Sequence, residues 1–73
     1  MTTKCFGYKK GDEDLKKFNE ITIQSNPRSL IILSDFFKKC AEKIEKDNDW
    51  EHEHFNDFLP DNDLDFDLII YNK

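Results

Sequence analysis

The stretch NPRSLIILSDFFKKCAEKIEKD, residues 26–47, is the segment of this chain that is long and periodic enough to predict a helix. Ser25 or Asn26 can cap its first turn with a side-chain oxygen. Pro27 suits the first helical position, where its missing N–H would have no intrahelical partner in any case. We therefore predict a helix from about Pro27 to Lys46.

One face of this helix is apolar and needs a cover, since successive residues turn by about 100° and its apolar side chains share one arc. The arc comprises Leu30, Leu33, Phe37, Cys40, Ala41 and Ile44, widened by Ile32 and Phe36. The opposite face is charged and is expected to be solvated. We expect Leu33, Phe37, Cys40 and Ile44 to be buried against a sheet.

The two flanks of the helix have the alternation and turn residues of short strands. The pattern predicts strands within residues 4–8, 18–23, 49–57 and 64–71, a turn at Gly11, and a loop over 56–63 that contains Pro60. This predicts a single α+β domain, residues 1–73: a small, mostly antiparallel sheet of about four strands in ββαββ order, packed on one central helix. The order of the strands within the sheet is not readable from the pattern.

Composition limits the classes of protein that this chain can belong to. A chain of 73 residues buries only about 60% of its unfolded surface, so its core is small. Cys5 and Cys40 are too few for a disulfide scaffold, and both are expected to be buried free thiols in a reducing compartment. No apolar run reaches about 18 residues, and residues 1–10 lack the apolar core expected of a secretion signal. We expect a soluble, cytoplasmic protein.

Charge is divided unevenly along the chain. Residues 1–46 contain ten Lys and Arg against seven Asp and Glu, which gives +3, whereas residues 47–73 contain one Lys against nine acids, which gives −8. This acidic lobe, residues 47–73, would repel nucleic acid and anionic membranes and attract a basic protein surface. The alternative is that the charge only keeps the chain soluble.

No catalytic or cofactor site is predicted. The sequence contains no glycine-rich phosphate loop and no carboxylate pair in an apolar setting, and its serines lie in or beside the helix without a histidine nearby in sequence. His52 and His54 could begin a zinc site with Asp57 or a cysteine, but two histidines alone are a weak signal. A structural role or a place in a partner interface is the preferred interpretation.

A sheet covered by one helix leaves its other face open, and such a face is a natural binding surface. Tyr8, Trp50, Phe55 and Tyr71 are candidates to line it. In a partner interface, Trp50 or Tyr71 would be the central aromatic contact, surrounded by acidic residues and the two histidines. The predicted partner-binding residues are Asp49, Trp50, Glu51, His52, Glu53, His54, Asp57, Asp61, Asp63, Asp65, Asp67 and Tyr71.

The order of short motifs along the chain resembles a known family. FGYKKGDED is followed by EITIQSNPRSLIILSDFFKKCAEKI, a H-x-H-x-x-D element and a terminal hydrophobic strand that ends in Asn72. This order is similar to that of the bacterial polymorphic-toxin immunity proteins of immunity protein family 32. The matching positions are Gly7, Tyr8, Glu20 to Ile23, Pro27, Leu30, Phe36, Ala41, His52, His54, Asp57, Asp67 to Ile70 and Asn72.

The resemblance implies a small cytoplasmic antidote, encoded beside a secreted toxin, that binds the catalytic domain of the toxin and blocks it. A nuclease toxin with a basic cleft would suit the acidic lobe. One alternative is a stand-alone acidic mimic of nucleic acid that inhibits a nuclease or a defence system, and another is a small metal-binding or housekeeping module. The sequence does not determine the toxin or the oligomeric state.

Overall fold

The part of the protein that the structure describes contains one long helix, one short helix and four strands of three residues. A computed structural model describes residues 3–72. The elements in chain order are β1 (Cys5–Gly7), β2 (Lys16–Phe18), α1 (Pro27–Lys46), β3 (His52–His54), α2 (Phe55–Phe58) and β4 (Ile69–Tyr71). The α+β class is confirmed.

The central helix α1 has the predicted bounds. Asn26 Oδ1 accepts the Ser29 N–H at 2.9 Å, and Pro27 takes the first helical position. At the other end, the Asp47 N–H donates to the Lys43 carbonyl at 3.0 Å. Both termini therefore follow local signals that the sequence carries.

The buried face of α1 differs from the predicted one. Leu33 and Cys40 are buried as expected, but Phe36 is completely buried whereas Phe37 is 44% exposed. The predicted burial of Phe37 is therefore wrong, and Ile44 is half buried instead of buried. Leu30 is half exposed and Ala41 is exposed, so this part of the apolar arc has no cover within residues 3–72. The apolar arc spans about half the helix circumference, and the elements packed against α1 cover only the part of it centred near Phe36.

The strands form two separate two-stranded antiparallel sheets, β1–β2 and β3–β4, in place of the single four-stranded sheet that we predicted. The second strand lies at Lys16–Phe18 instead of residues 18–23. The hairpin turn contains Gly11, whose φ of +95° favours glycine. Cys5 pairs with Phe18, and a Cβ on Gly7 would lie 2.7 Å from the Phe18 ring, so a larger residue at position 7 would displace that ring.

The C-terminal part differs from the prediction in two places. Residues 55–58, part of which we predicted as loop, form the short helix α2, and β4 covers only Ile69–Tyr71 of the predicted strand 64–71. The Asn62 side chain donates to the Leu59 carbonyl at 2.7 Å and accepts the Leu64 N–H at 3.0 Å. These two bonds hold the chain in a local turn, and the Leu68 carbonyl accepts the Phe55 N–H at 2.8 Å, so strand pairing begins only at Ile69.

The core lies between α1 and the C-terminal part of the chain. Phe36 packs edge-on against Phe55, with ring centroids 5.1 Å apart, and its ring centroid is 5.3 Å from that of Phe58. The surrounding half-buried side chains are Ile32, Trp50, Phe58, Leu59, Leu64, Leu68 and Ile70. Thus Trp50 and Phe55, which we predicted to line an open face, pack into or against the core. No helix within residues 3–72 is long and apolar enough to cross a membrane.

The difference between Phe36 and Phe37 can be measured directly. Phe36→Ala should lower the free energy of unfolding by about 3–5 kcal/mol, because it removes a buried ring and leaves a cavity. Phe37→Ala, at a position open to solvent, should cost about 1 kcal/mol or less. Chemical denaturation followed by helical circular dichroism would compare the two. Equal losses would mean that both rings are buried to the same extent.

Candidate partner-binding surface

The β3–β4 sheet has one side turned away from the core. His52 pairs with Tyr71 and His54 with Ile69, and directly opposed residues project from the same side of a sheet. Tyr71 is 66% exposed and Ile69 is 46% exposed. The His52 ring centroid lies 5.4 Å from that of His54 and 6.3 Å from that of Tyr71. We call these four residues the outer face.

The other side of this sheet packs on α1. Glu53 and Ile70 are opposed in the register, and Ile70 packs against the core. Lys43 Nζ donates to Glu53 Oε1 at 2.5 Å, and only 17% of the Glu53 side chain is exposed. Glu53 was predicted to bind a partner. Its carboxylate contacts Lys43 of α1, and this contact orients that side of β3 toward the helix; a role in partner binding stays a prediction.

Carboxylates flank the outer face. Asp67 Oδ2 lies 3.0 Å from His54 Nδ1, and Glu51 Oε1 lies 4.0 Å from His52 Nδ1. Each histidine thus has an acidic neighbour in addition to its aromatic one. The Asp67 carboxylate accepts a hydrogen bond from His54 Nδ1, which restrains the orientation of the His54 ring.

The predicted partner-binding residues do not all lie together. His52, His54, Tyr71, Glu51 and Asp67 are grouped on or beside the outer face. Asp61 and Asp63 lie beside the first turn of α1, where they line a pocket of about 460 Å³. The remaining acids Asp49, Asp57 and Asp65 are exposed.

Two of the remaining candidates are engaged within the fold. Asp63 accepts the Ser29 hydroxyl at 2.7 Å, which ties the C-terminal loop to α1. Trp50 is half buried against the core, whereas Tyr71 is largely exposed. Of the two aromatic residues considered as a central contact, Tyr71 is therefore the one available to a partner.

The cysteines and histidines offer little chemistry. Cys40 is buried, and burial together with the nearby Glu53 carboxylate raises the pKa of its thiol, against a smaller opposing effect of Lys43. Cys5 is free like Cys40, but it is half buried instead of buried. Within residues 3–72, no three His, Cys, Asp or Glu side chains are placed to hold a metal ion.

The sequence reasoning missed three residues that build this surface. Ser29 is buried and bonds Asp63, and Lys43 pairs with Glu53. The Asn72 side chain donates to the carbonyls of Asn48 and Trp50, at 3.0 and 2.8 Å, and so secures the end of the chain beside β3. The partners are 10 to 34 residues apart in sequence, so local patterns do not reveal these contacts. Only Asn72 gave a signal, as a matching position in the family pattern.

The two thiols should differ in reactivity. Alkylation requires the thiolate, so Cys40, which is buried and has a raised pKa, should react with iodoacetamide at least tenfold more slowly than Cys5 at mildly alkaline pH. Mass spectrometry of a time course would follow both sites. In denaturant the two rates should converge, which serves as the control. Equal rates in the folded protein would contradict the burial of Cys40.

Comparison with known proteins identifies the family. A family model described as Immunity protein 32 matches residues 20–73. The match contains α1, β3, α2 and β4 and leaves the β1–β2 hairpin outside. Neither the search of curated proteins nor the search of solved structures found a match. Since the model covers most of the sequence, the resemblance is confirmed, and this chain belongs to the immunity protein 32 family.

Proposed function

We propose that this chain is a cytoplasmic immunity protein that binds a cognate secreted bacterial toxin domain and blocks its active site. Membership of the immunity protein family supports an inhibitory role without catalysis. Such an inhibitor needs a surface that remains exposed after folding and that has enough apolar area to bind. The outer face has both properties.

Exposure of Tyr71 is the observation that carries the assignment of the binding surface. The ring is 66% exposed although Tyr71 belongs to a paired strand, in which it lies opposite His52. Large aromatic residues at the centre of an interface supply much of its binding energy. Ile69 on the same side adds apolar area. The outer face would form the centre of the interface, with Glu51 and Asp67 at its edge.

Charge favours a toxin with a basic cleft, of which a nuclease is the expected example. Residues 47–73 carry a net charge of −8. Opposite charges on two proteins mainly raise the association rate and select the partner. Asp49 and Glu51 are exposed and lie just before β3, so they are placed to act in this way.

The alternative of a nucleic-acid mimic has less support. A mimic needs a row of free carboxylates in place of phosphates. Glu53, Asp63 and Asp67 instead contact Lys43, Ser29 and His54 within the fold. The exposed Tyr71 and Ile69 also have no counterpart in a phosphate backbone. Capping by a mixed apolar and acidic surface explains more of the observed features.

Tyr71→Ala tests the centre of the proposed interface. It should weaken binding to the toxin domain encoded beside this chain by about thirtyfold or more, mainly through faster dissociation, because a buried aromatic contact is lost. Surface plasmon resonance and survival of cells that produce the toxin would measure this. Leu15→Ala is a matched control, since Leu15 is 64% exposed and lies outside the family match. Equal effects of the two variants would remove Tyr71 from the interface.

Charge reversal tests separately whether the acids just before β3, Asp49 and Glu51, speed association with the toxin. Asp49→Lys combined with Glu51→Lys should lower the association rate constant at least severalfold at low salt and leave dissociation nearly unchanged. The same double reversal at Glu13 and Asp14, in the β1–β2 connection, is the control with an identical change in net charge. If both double variants slow association equally, net charge alone acts, and the position of the acids beside β3 is irrelevant.

A further inference from the structure

The segment that connects the hairpin to α1, residues 20–26, has the features of an unpaired strand. It runs from Glu20 to Asn26 without a turn or bend, and Asn26 ends it with φ −127° and ψ 166°, in the extended region. Its Ile21-Thr22-Ile23 run is β-branched, which suits a pleated strand. The backbone groups of residues 20–25 make no hydrogen bond with any of residues 3–72.

A groove lies along this segment. Residues 22–26 line one side of it, residues 63–66 line the other, and Leu33 of α1 also lines it. The groove has a volume of about 600 Å³. Ile23 and Phe66 remain 40% and 44% exposed, so apolar surface is open beside unpaired backbone. This combination of free backbone groups and apolar side chains is what an added strand uses for binding.

Charge selects the kind of strand that would fit. Asp63 and Asp65 line the groove, and no Lys or Arg is among its lining residues. Asp65 is exposed, and Asp63 shares its carboxylate with the Ser29 hydroxyl. An occupant with basic side chains would complement these acids, and apolar side chains at alternate positions could contact Ile23 and Phe66.

A second copy of this chain fits less well. Symmetric pairing of two 20–25 segments would bring two acidic grooves together, with Asp63 and Asp65 of each copy near those of the other. Like charges at close range disfavour such a pair. The basic residues of β2, Lys16 and Lys17, are already in a paired strand. The groove is therefore better matched to a basic strand of a different protein.

We propose that residues 20–25 accept an extended basic strand of the toxin domain, which pairs with their backbone and lies in the groove against residues 63–66. This inference rests on the proposed function.

Ser29 at one end of α1 contacts the groove residue Asp63, and Lys43 contacts Glu53 of β3. At 1.5 Å per residue the two positions on α1 are about 20 Å apart. One toxin domain can span the groove and the outer face together.

Hydrogen exchange gives the direct test. The toxin domain encoded beside this chain is inactivated by mutation and purified in complex with it. Amide exchange in this complex is compared with exchange in the free protein. The backbone amides of residues 21–25 should exchange rapidly in the free protein and at least tenfold more slowly in the complex. If they exchange equally fast in both while the Tyr71 region becomes protected, the inference is wrong and the proposed function remains.

Two neighbouring proline substitutions provide a matched pair. Successive N–H groups of an extended segment point to opposite sides, so only one of Gln24→Pro and Ser25→Pro removes an amide that faces the added strand. One variant should lose at least tenfold in toxin affinity and the other less than threefold. Helical circular dichroism and thermal melting would verify that both fold. Equal affinities for the two variants would overturn strand pairing at this position.

The remaining outcomes separate the possible occupants. If protection of the amides of residues 21–25 rises with the concentration of the free protein, and light scattering gives the mass of a dimer, a second copy occupies the groove. That result would overturn the inference. Failure of the wild-type chain to bind the neighbouring toxin domain would overturn the proposed function and this inference with it. Protection confined to the complex, with unequal proline variants, supports both.

Discussion

The contact of Phe36 with Phe55 and Phe58 is the interaction on which the rest of the structure depends. These rings join the long helix α1 to the segment that follows β3, and Phe36 and Phe55 are the largest fully buried side chains among residues 3–72. Burial of each such ring contributes about 1.5–3 kcal/mol. In a domain of this size, whose total stability is of order 5–15 kcal/mol, two or three rings decide whether it folds.

This contact also determines where the functional surface lies. Because Phe55 must reach Phe36, the chain turns into α2 immediately after His54, and β3 is held beside the second half of α1. The Lys43–Glu53 ion pair then fixes which side of β3 meets the helix. His52 and His54, which alternate with Glu53, are left on the outer side. The exposure of the outer face thus follows from the packing of the core.

The family match and the core coincide along the chain. Among the described residues 3–72, those of the core lie at position 20 or later, whereas the hairpin β1–β2 lies before the matched region and contributes none of them. Both surfaces proposed to bind the toxin, the outer face and the groove beside residues 20–26, fall within the match. A rigid core that presents two separated surfaces suits an inhibitor, because preorganised contacts cost little ordering entropy on binding.

The sequence by itself determined the features that depend on local interactions. Asn26 and Pro27 defined the start of α1, the polar run at Asp47 marked its end, and motif order identified the family. The tertiary structure alone decided which part of the apolar arc is buried, since Phe36 and Phe37 are adjacent and chemically identical. It also decided that the strands form two sheets, because strand pairing joins residues distant in sequence. For the same reason, only the tertiary structure shows that Glu53 is bound to Lys43 whereas Tyr71 is exposed to solvent.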